Sequence, residues 1–384
     1  MKEKMQKVAI LSLSLMLIST YSVSAALPAM QEYFSGYSRA AVEQLVSITS
    51  FAMTLVIIAN LWLNRILSQR FCITLGFILL AVGGSAPVFV QNYEFVLAAR
   101  ILLGVGIGLV NSHAINMINE RYEGAERASL LGFRSAMEVL GNAILTLIAG
   151  WLLNFGWSRA FAIYLAAVPI LILYYCFVPQ QKKASAEVEK KNRVTVSDIR
   201  KYLPFLISTL ALGFFTISIN SCVTMRIPVI TLERQLGTDS QSSLVLSLMM
   251  LMGVVAGVSF GKLLQMLGGK LMGVCMLVLG GSLVLIGLSE HMILLAAGAM
   301  ISGISYNILA TLVFHRVSER VPYHIMSIGT TCGLVGCNMG AFAIPYIMKM
   351  MELVKDSSHT PIMIYAVLAW LFGIIILMTG KKEK

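Results

Sequence analysis

Apolar stretches of about 20 residues recur along the whole chain, separated by short polar segments. Because a helix rises about 1.5 Å per residue, each stretch is long enough to cross a hydrocarbon core of roughly 30 Å. The pattern predicts an all-α polytopic membrane protein. Its twelve predicted spans are 8–29, 43–63, 71–90, 95–118, 130–153, 158–178, 203–226, 243–262, 271–289, 292–314, 325–348 and 361–379.

The distribution of charge gives the orientation. Hydrophobic residues make up 58% of the chain and charged residues 12%, whereas soluble domains carry about 25% charged residues. The spans place 21 of the 29 Lys and Arg on one side and 6 on the other, while the 18 acids divide 9 and 8. This asymmetry of basic residues predicts cytoplasmic termini and a multi-pass protein of the cell membrane. The net charge of +11 therefore implies the lipid bilayer as partner and no nucleic acid.

The chain also divides into two similar halves. The longest internal polar stretch, 179–201, predicts a cytoplasmic linker between six-helix bundles at 1–178 and 202–384. Gly303 repeats Gly104 at an offset of 199 residues, and Asn338 is a weaker counterpart of Asn142 at 196. Such recurrence indicates a duplication, and parallel six-helix repeats are a known transporter plan.

Short motifs occur in two loops and in span four. The motif residues are Arg65 in the loop after span two, Gly261, Leu263, Gly268 and Lys270 in its repeat after span eight, and Arg100, Gly104 and Gly106 in span four. In these residues the chain resembles the major facilitator superfamily, in particular its bacterial proton-coupled efflux branch. The resemblance implies gating at the two cytoplasmic loops and a cavity lined by helices one, four, seven and ten. Two departures are Asn64, which replaces the acid of the first loop signature, and the missing Gly-Pro pair in span five.

Three charged residues lie deep within the predicted spans and are candidate coupling or substrate-binding residues: Arg100, Arg134 and Glu138. Charges at this depth are costly unless they are paired or hydrated. Arg134 and Glu138 share one helical face, and we expect Arg100 to approach Glu138 from the outer side. Two alternatives stay open: a structural ion cluster, or a site where Glu138 exchanges its partners for a proton or a substrate. A cluster of charge +1 would favour an anionic substrate.

Further polar residues fall in the spans that would line the cavity. Some of them can instead be explained by hydrogen-bonded helix packing. The cavity-lining candidates are Tyr21, Asn111, His113, Asn220, Arg226, Tyr306 and Asn307.

The outer ends of spans two and seven carry additional charges. Arg226 is expected either to gate the outer mouth or to lie at the membrane interface, and Pro228 is expected to break or bend the helix there. Arg39 and Glu43 are four residues apart, a spacing that is typical of a surface ion pair.

Motifs of enzymes and primary pumps are missing or out of context. The sequence contains no GxxxxGK[ST], HExxH or CxxC pattern, which argues against nucleotide hydrolysis and against metal or cofactor chemistry. Its match to GxSxG at 257–261 lies within an apolar predicted span, and not at the strand-to-helix turn that a serine nucleophile requires. We therefore predict a secondary transporter that acts as a single chain on a small molecule and protons. The first hypothesis is proton-coupled efflux of an amphipathic compound or metabolite by antiport. The alternative is proton-symport uptake of a small organic anion, and a non-transporting membrane sensor is a third class.

Overall fold

A computed structural model describes residues 2–122, 124–179, 196–355 and 357–379. This part of the chain is helical and contains no strand. Short 3-10 turns join α1 to α2 and precede α7. The helices are α1 Lys2–Ser12, α2 Leu27–Tyr33, α3 Arg39–Ile66, α4 Gln69–Ser85, α5 Tyr93–Arg121, α6 Gly124–Leu152, α7 Ala167–Phe177, α8 Val196–Glu233, α9 Asp239–Leu267, α10 Leu271–Gly287, α11 Met292–Arg320, α12 Tyr323–Glu352 and α13 Thr360–Thr379.

The helices agree with the predicted membrane spans. Ten helical stretches of the described chain are long and apolar enough to cross a membrane, or eleven with the bent pair Lys4–Met16 and Ser19–Tyr33. The longest stretch, Asp239–Gly287, contains both α9 and α10, which correspond to predicted spans eight and nine. We call the side of the molecule that holds Lys2 and Thr379 the inner side, which the sequence predicts to be cytoplasmic, and the opposite side the outer side.

Each half packs around apolar residues of its own. One buried cluster is drawn from positions 9–178. A second is drawn mainly from positions 219–369 and is joined by Leu27 and Val46 of the first half. Most of the predicted linker lies outside the described residues, and α8 begins within it at Val196. The domain boundaries stay a prediction.

Close helix contacts repeat between the halves. Four of the tightly packed glycines match between the halves, and a methyl group on any of these four would collide with a backbone carbonyl oxygen of another helix. Both members of each contact recur about 199 positions later, which accords with the predicted duplication. In this register Asn142 corresponds to position 341, so its predicted pairing with Asn338 is displaced by three residues. The contacts are Gly104 on Thr49 with its repeat Gly303 on Met249, and Gly141 on Leu15 with its repeat Gly340 on Phe214.

The expected break at Pro228 is absent. Helix α8 runs through Pro204 and Pro228 to Glu233. Membrane helices tolerate proline because neighbouring groups and small local adjustments satisfy the freed carbonyl. The outer end of α8 therefore stays helical and can hold Arg226 at a fixed height.

Candidate functional site

A central cavity of about 560 Å³ lies between the two halves. Residues from α3, α5, α6, α8, α9, α11 and α12 line it, together with the segment between α1 and α2. The wall mixes polar groups with apolar side chains such as Met53, Met249 and Phe314. The polar lining residues are Thr20, Tyr21, Ser50, Asn111, Arg134, Ser135, Glu138, Asn142, Asn220, Ser221, Thr224, Tyr306, Asn307 and Asn338.

The first span is broken beside this cavity. Its two parts meet at 45°, and the residues at the break, Leu17 and Ile18, line the cavity. Just beyond the break, the Tyr21 hydroxyl donates a hydrogen bond of 2.9 Å to the Ala341 carbonyl in the other half. Short 3-10 segments often mark hinges, and this one places a backbone discontinuity where the halves meet.

Arg134 and Glu138 form an ion pair in the cavity wall. Their Nη2 and Oε1 atoms are 2.7 Å apart, and both side chains are largely buried. Arg134 also donates a hydrogen bond of 3.0 Å to Asn111 Oδ1. The carboxylate of Glu138 and the amide of Asn111 thus hold the guanidinium from two helices, α6 and α5.

Arg100 does not join this pair, so the expected three-residue cluster is wrong. Its guanidinium is fully buried and donates to the carbonyls of Leu45 at 2.9 Å and Thr20 at 2.6 Å and to the Tyr164 hydroxyl at 3.0 Å. Backbone carbonyls of two segments and the Tyr164 hydroxyl of a third thus satisfy its planar donors. The ion pair of Arg134 and Glu138 in the cavity therefore has no net charge. The prediction of an anionic substrate from a cluster of charge +1 loses its basis.

Five of the seven predicted cavity residues line the cavity: Tyr21, Asn111, Asn220, Tyr306 and Asn307. His113 does not line it. Its side chain is buried within the first half, and its Nε2 has no hydrogen-bond partner among the described residues. Ser50 and Thr224 line the cavity but were missed, although a polar residue in an apolar span was the available signal.

Arg226 also lies away from the cavity, in an ion network on the outer side. Its side chain is fully buried, and it contacts Glu43 at 2.7 Å and Glu352 at 2.6 Å. Glu43 is only 1% exposed. Burial in a network that joins the two halves is what the gating alternative for Arg226 requires.

The same network contains Arg39, and the predicted surface pair of Arg39 with Glu43 is wrong. Arg39 instead contacts Glu233 at 2.7 Å and Glu352 at 3.6 Å. Glu43 lies one turn further along α3 and points between the halves. There it pairs with the buried Arg226, and not with the more exposed Arg39. Ser358 completes the network by donating to Glu233.

The outer side of the molecule is closed. The network joins α3 of the first half to α8 and α12 of the second. Two further contacts join the halves beside the cavity: Ser247 donates to the Ala143 carbonyl at 3.1 Å, and the rings of Phe51 and Phe342 are 4.8 Å apart. The cavity extends inward to Asn111 and Phe314.

The predicted gating loops lie on the inner side. Gly261 falls within α9, while Gly268 and Lys270 form the turn that follows it. Gly268 has a φ of +49°, a conformation that glycine adopts without strain. Asn64 and Arg65 belong to the last turn of α3, and their side chains lie outside the described residues.

Comparison with known proteins identifies the family. Residues 9–345 match the family model "Major Facilitator Superfamily". The chain belongs to the major facilitator superfamily. Its fold and family are those of transporters, and the described residues contain no group of three His, Cys, Asp or Glu side chains that could hold a metal ion.

Two curated relatives from Escherichia coli match part of the chain. The arabinose-proton symporter of Escherichia coli is 23% identical over 183 residues, 47% of this chain and 38% of the symporter. Protein TsgA of Escherichia coli is 31% identical over 144 residues, 35% of this chain and 37% of TsgA. The matched region therefore spans less than two-fifths of either relative.

Two solved transporters share the fold over nearly the whole chain. The peptide transporter POT in complex with sulfate superimposes with a TM-score of 0.78 at 13% identity, covering 98% of this chain and 94% of that one. A POT family transporter in complex with 5-aminolevulinic acid gives 0.78 at 14% identity, covering 98% and 96%. At these identities the likeness establishes the fold.

Proposed function

We propose that this transporter couples protons to the movement of a small organic anion by symport, with Arg134 and Glu138 as the coupling pair. The observation that carries the proposal is their 2.7 Å contact in the wall of the central cavity. Of the two groups, only the carboxylate can change its charge under physiological conditions, because arginine stays protonated.

Protonation of Glu138 would release Arg134. With Glu138 ionised, its carboxylate occupies the guanidinium, and a substrate carboxylate must compete with it. A proton on Glu138 removes that competitor, and Arg134, still oriented by Asn111 at 3.0 Å, can bind the substrate anion with two parallel hydrogen bonds. Proton and anion then occupy the cavity together, and its net charge stays at zero. Their joint movement across the membrane in one direction is symport.

The outer network would act as the gate of alternating access. Opening the outer side requires Arg226 to leave Glu43 and Arg39 to leave Glu233, because these contacts join the two halves. In transporters of this architecture the halves rock about a site near the middle of the membrane. The broken first span and its Tyr21 contact to Ala341 lie where that rotation would be accommodated.

Efflux by antiport is the second candidate, and a different feature favours it. Met53, Met249 and Met250 line the cavity, and flexible thioether side chains suit amphipathic ligands of varied shape. A cationic substrate would compete with both Arg134 and the proton for Glu138. Binding of substrate and proton would then be mutually exclusive, which is the requirement for antiport.

The test is uphill transport in proteoliposomes under an imposed pH gradient. The probes are labelled small carboxylates, their neutral amides and an amphipathic cationic dye. Symport predicts that a carboxylate accumulates inside when the outside is acidic, whereas its amide does not. Accumulation of the dye inside vesicles with an acidic interior, without movement of any carboxylate, would overturn the symport proposal in favour of efflux.

A further inference from the structure

The second half contains another large cavity, of about 1,020 Å³. It lies among α8, α9, α10, α11 and α13 toward the inner side, and it shares no lining residue with the central cavity. Its size is at the upper end of the roughly 300–1,000 Å³ that small-molecule sites occupy. Nothing in the proposed transport cycle uses this space.

The walls of this cavity are apolar and open sideways. Leu212, Met276 and Leu312 form part of its lining, and the exposed Ala211 and Phe372 stand on either side of the gap between α8 and α13. Toward the outer side this gap is closed by aromatic rings. The ring of Phe215 lies 4.8 Å from that of Phe372 and 6.2 Å from that of Tyr365. A flexible hydrocarbon chain could therefore enter from the membrane along the inner part of α13.

The inner end of the cavity is basic. Arg316 and Arg320 lie one turn apart on α11 and both line it. Arg316 Nη1 is 3.6 Å from the Met272 sulfur on the cavity wall, so its guanidinium borders the apolar space. One carboxylate, Glu319, also lines this end, and its Oε1 lies 3.2 Å from His315 Nε2. Among the residues that line this end of the cavity, two guanidiniums therefore stand against one carboxylate.

We propose that this cavity binds an anionic phospholipid of the inner leaflet. Arg316 and Arg320 hold its phosphate, and one acyl chain lies between α8 and α13. The cavity has an apolar part and a basic inner end. This favours a lipid over a free phosphate, because a phosphate would not fill the apolar part. Basic pockets between membrane helices on the inner side suit such headgroups.

The bound lipid would fill space within the second half. The acyl chain of the lipid would contact α8 and α11, two of the helices that also line the central cavity. Anionic lipid content of the membrane would thus influence the packing of the helices that carry Asn220 and Asn307.

The test measures lipid binding to the full-length protein in nanodiscs of phosphatidylcholine doped with phosphatidylglycerol, read by native mass spectrometry after release. We expect phosphatidylglycerol to be retained over phosphatidylcholine, and Arg316→Gln with Arg320→Gln to weaken its retention by about tenfold or more, because charge-assisted hydrogen bonds to the phosphate are lost. The matched control is Lys262→Gln with Lys270→Gln, which removes two exposed basic residues of the same side that do not line the cavity.

A second variant tests the apolar part and does not touch the charges. Ala211→Trp at the exposed gap should reduce retention of phosphatidylglycerol while the protein unfolds at an unchanged temperature in pure phosphatidylcholine. The proposal is overturned if both variants retain phosphatidylglycerol like the unmodified protein. It is also overturned if inorganic phosphate displaces the lipid at equal concentration, because the site would then recognise the phosphate alone.

Discussion

Arg226 on α8 and Glu43 on α3 meet across the interface between the halves, with Nη1 and Oε1 2.7 Å apart and both side chains almost completely buried. They are 183 residues apart in sequence. Because a charge buried without its partner is strongly destabilising, this contact ties the closed outer side to the pairing of two specific residues. The outer gate is therefore an electrostatic contact as well as a packed surface.

Loss of Arg226 should open the outer side. Arg226→Gln leaves Glu43 buried and unpaired, at a cost of about 3–5 kcal/mol to the closed conformation. The measurement is labelling of buried Cys222, one turn away on α8, by an impermeant maleimide added outside, in a chain whose other cysteines are alanine. We expect faster labelling. Arg234→Gln is the matched control, because Arg234 donates only to the Gly287 and Ser289 carbonyls among the described contacts of its own half.

A double-mutant cycle isolates the pair itself. Glu43→Gln and Arg226→Gln should show non-additive effects on the labelling of Cys222, since residues in direct contact couple energetically. Strictly additive effects would mean that the two residues act independently, and the gate would have to depend on other contacts.

Arg100 is predicted to be a structural residue. Arg100→Lys cannot reproduce donation to Leu45, Thr20 and Tyr164 at once, and each unsatisfied buried group costs about 1–3 kcal/mol. The purified variant should unfold at a clearly lower temperature in detergent. Unchanged thermal stability combined with lost transport would contradict this role and return Arg100 to the coupling machinery.

The glycine contacts should respond alike in the two halves. Gly104→Ala and Gly303→Ala each place a methyl group against a backbone carbonyl oxygen, and overpacking of this kind costs about 1–3 kcal/mol. Thermal unfolding should show similar losses for both. Gly257→Ala is the control, because a methyl group there meets no atom within 4 Å. A loss confined to one half would argue against equivalent packing.

Arg134 should discriminate between substrates by charge. Arg134→Ala removes the proposed anion partner, so binding of carboxylates should fall far more than binding of their neutral amides. Isothermal titration of the purified variant against matched pairs of compounds measures this difference. If both members of a pair lose affinity equally, the Arg134–Glu138 contact serves structure and not recognition.

Local spacing made some of these features predictable. Arg134 and Glu138 lie on one helix, so a separation of four residues was enough to place them together. The membrane spans were predictable for a similar reason, because hydrophobicity over about 20 residues is a property of each segment alone.

The partners of Glu43 and Arg100 could not be predicted from the sequence, because they lie far away along the chain. Glu43 has a residue at the right spacing, Arg39, yet its partner is Arg226 on a helix of the other half. Arg100 is satisfied mainly by backbone carbonyls, which carry no sequence signal. In both cases tertiary packing, and not spacing, selects the partner.

The central claim is that Glu138 takes up a proton when Arg134 binds an anion. The most direct measurement is proton movement into proteoliposomes containing a trapped pH indicator, after small carboxylates are added outside at equal pH. We expect internal acidification with the unmodified protein and with Glu126→Gln, an exposed acid of the same helix, and none with Glu138→Gln. Carboxylate entry without acidification, or acidification that persists in Glu138→Gln, would contradict the account.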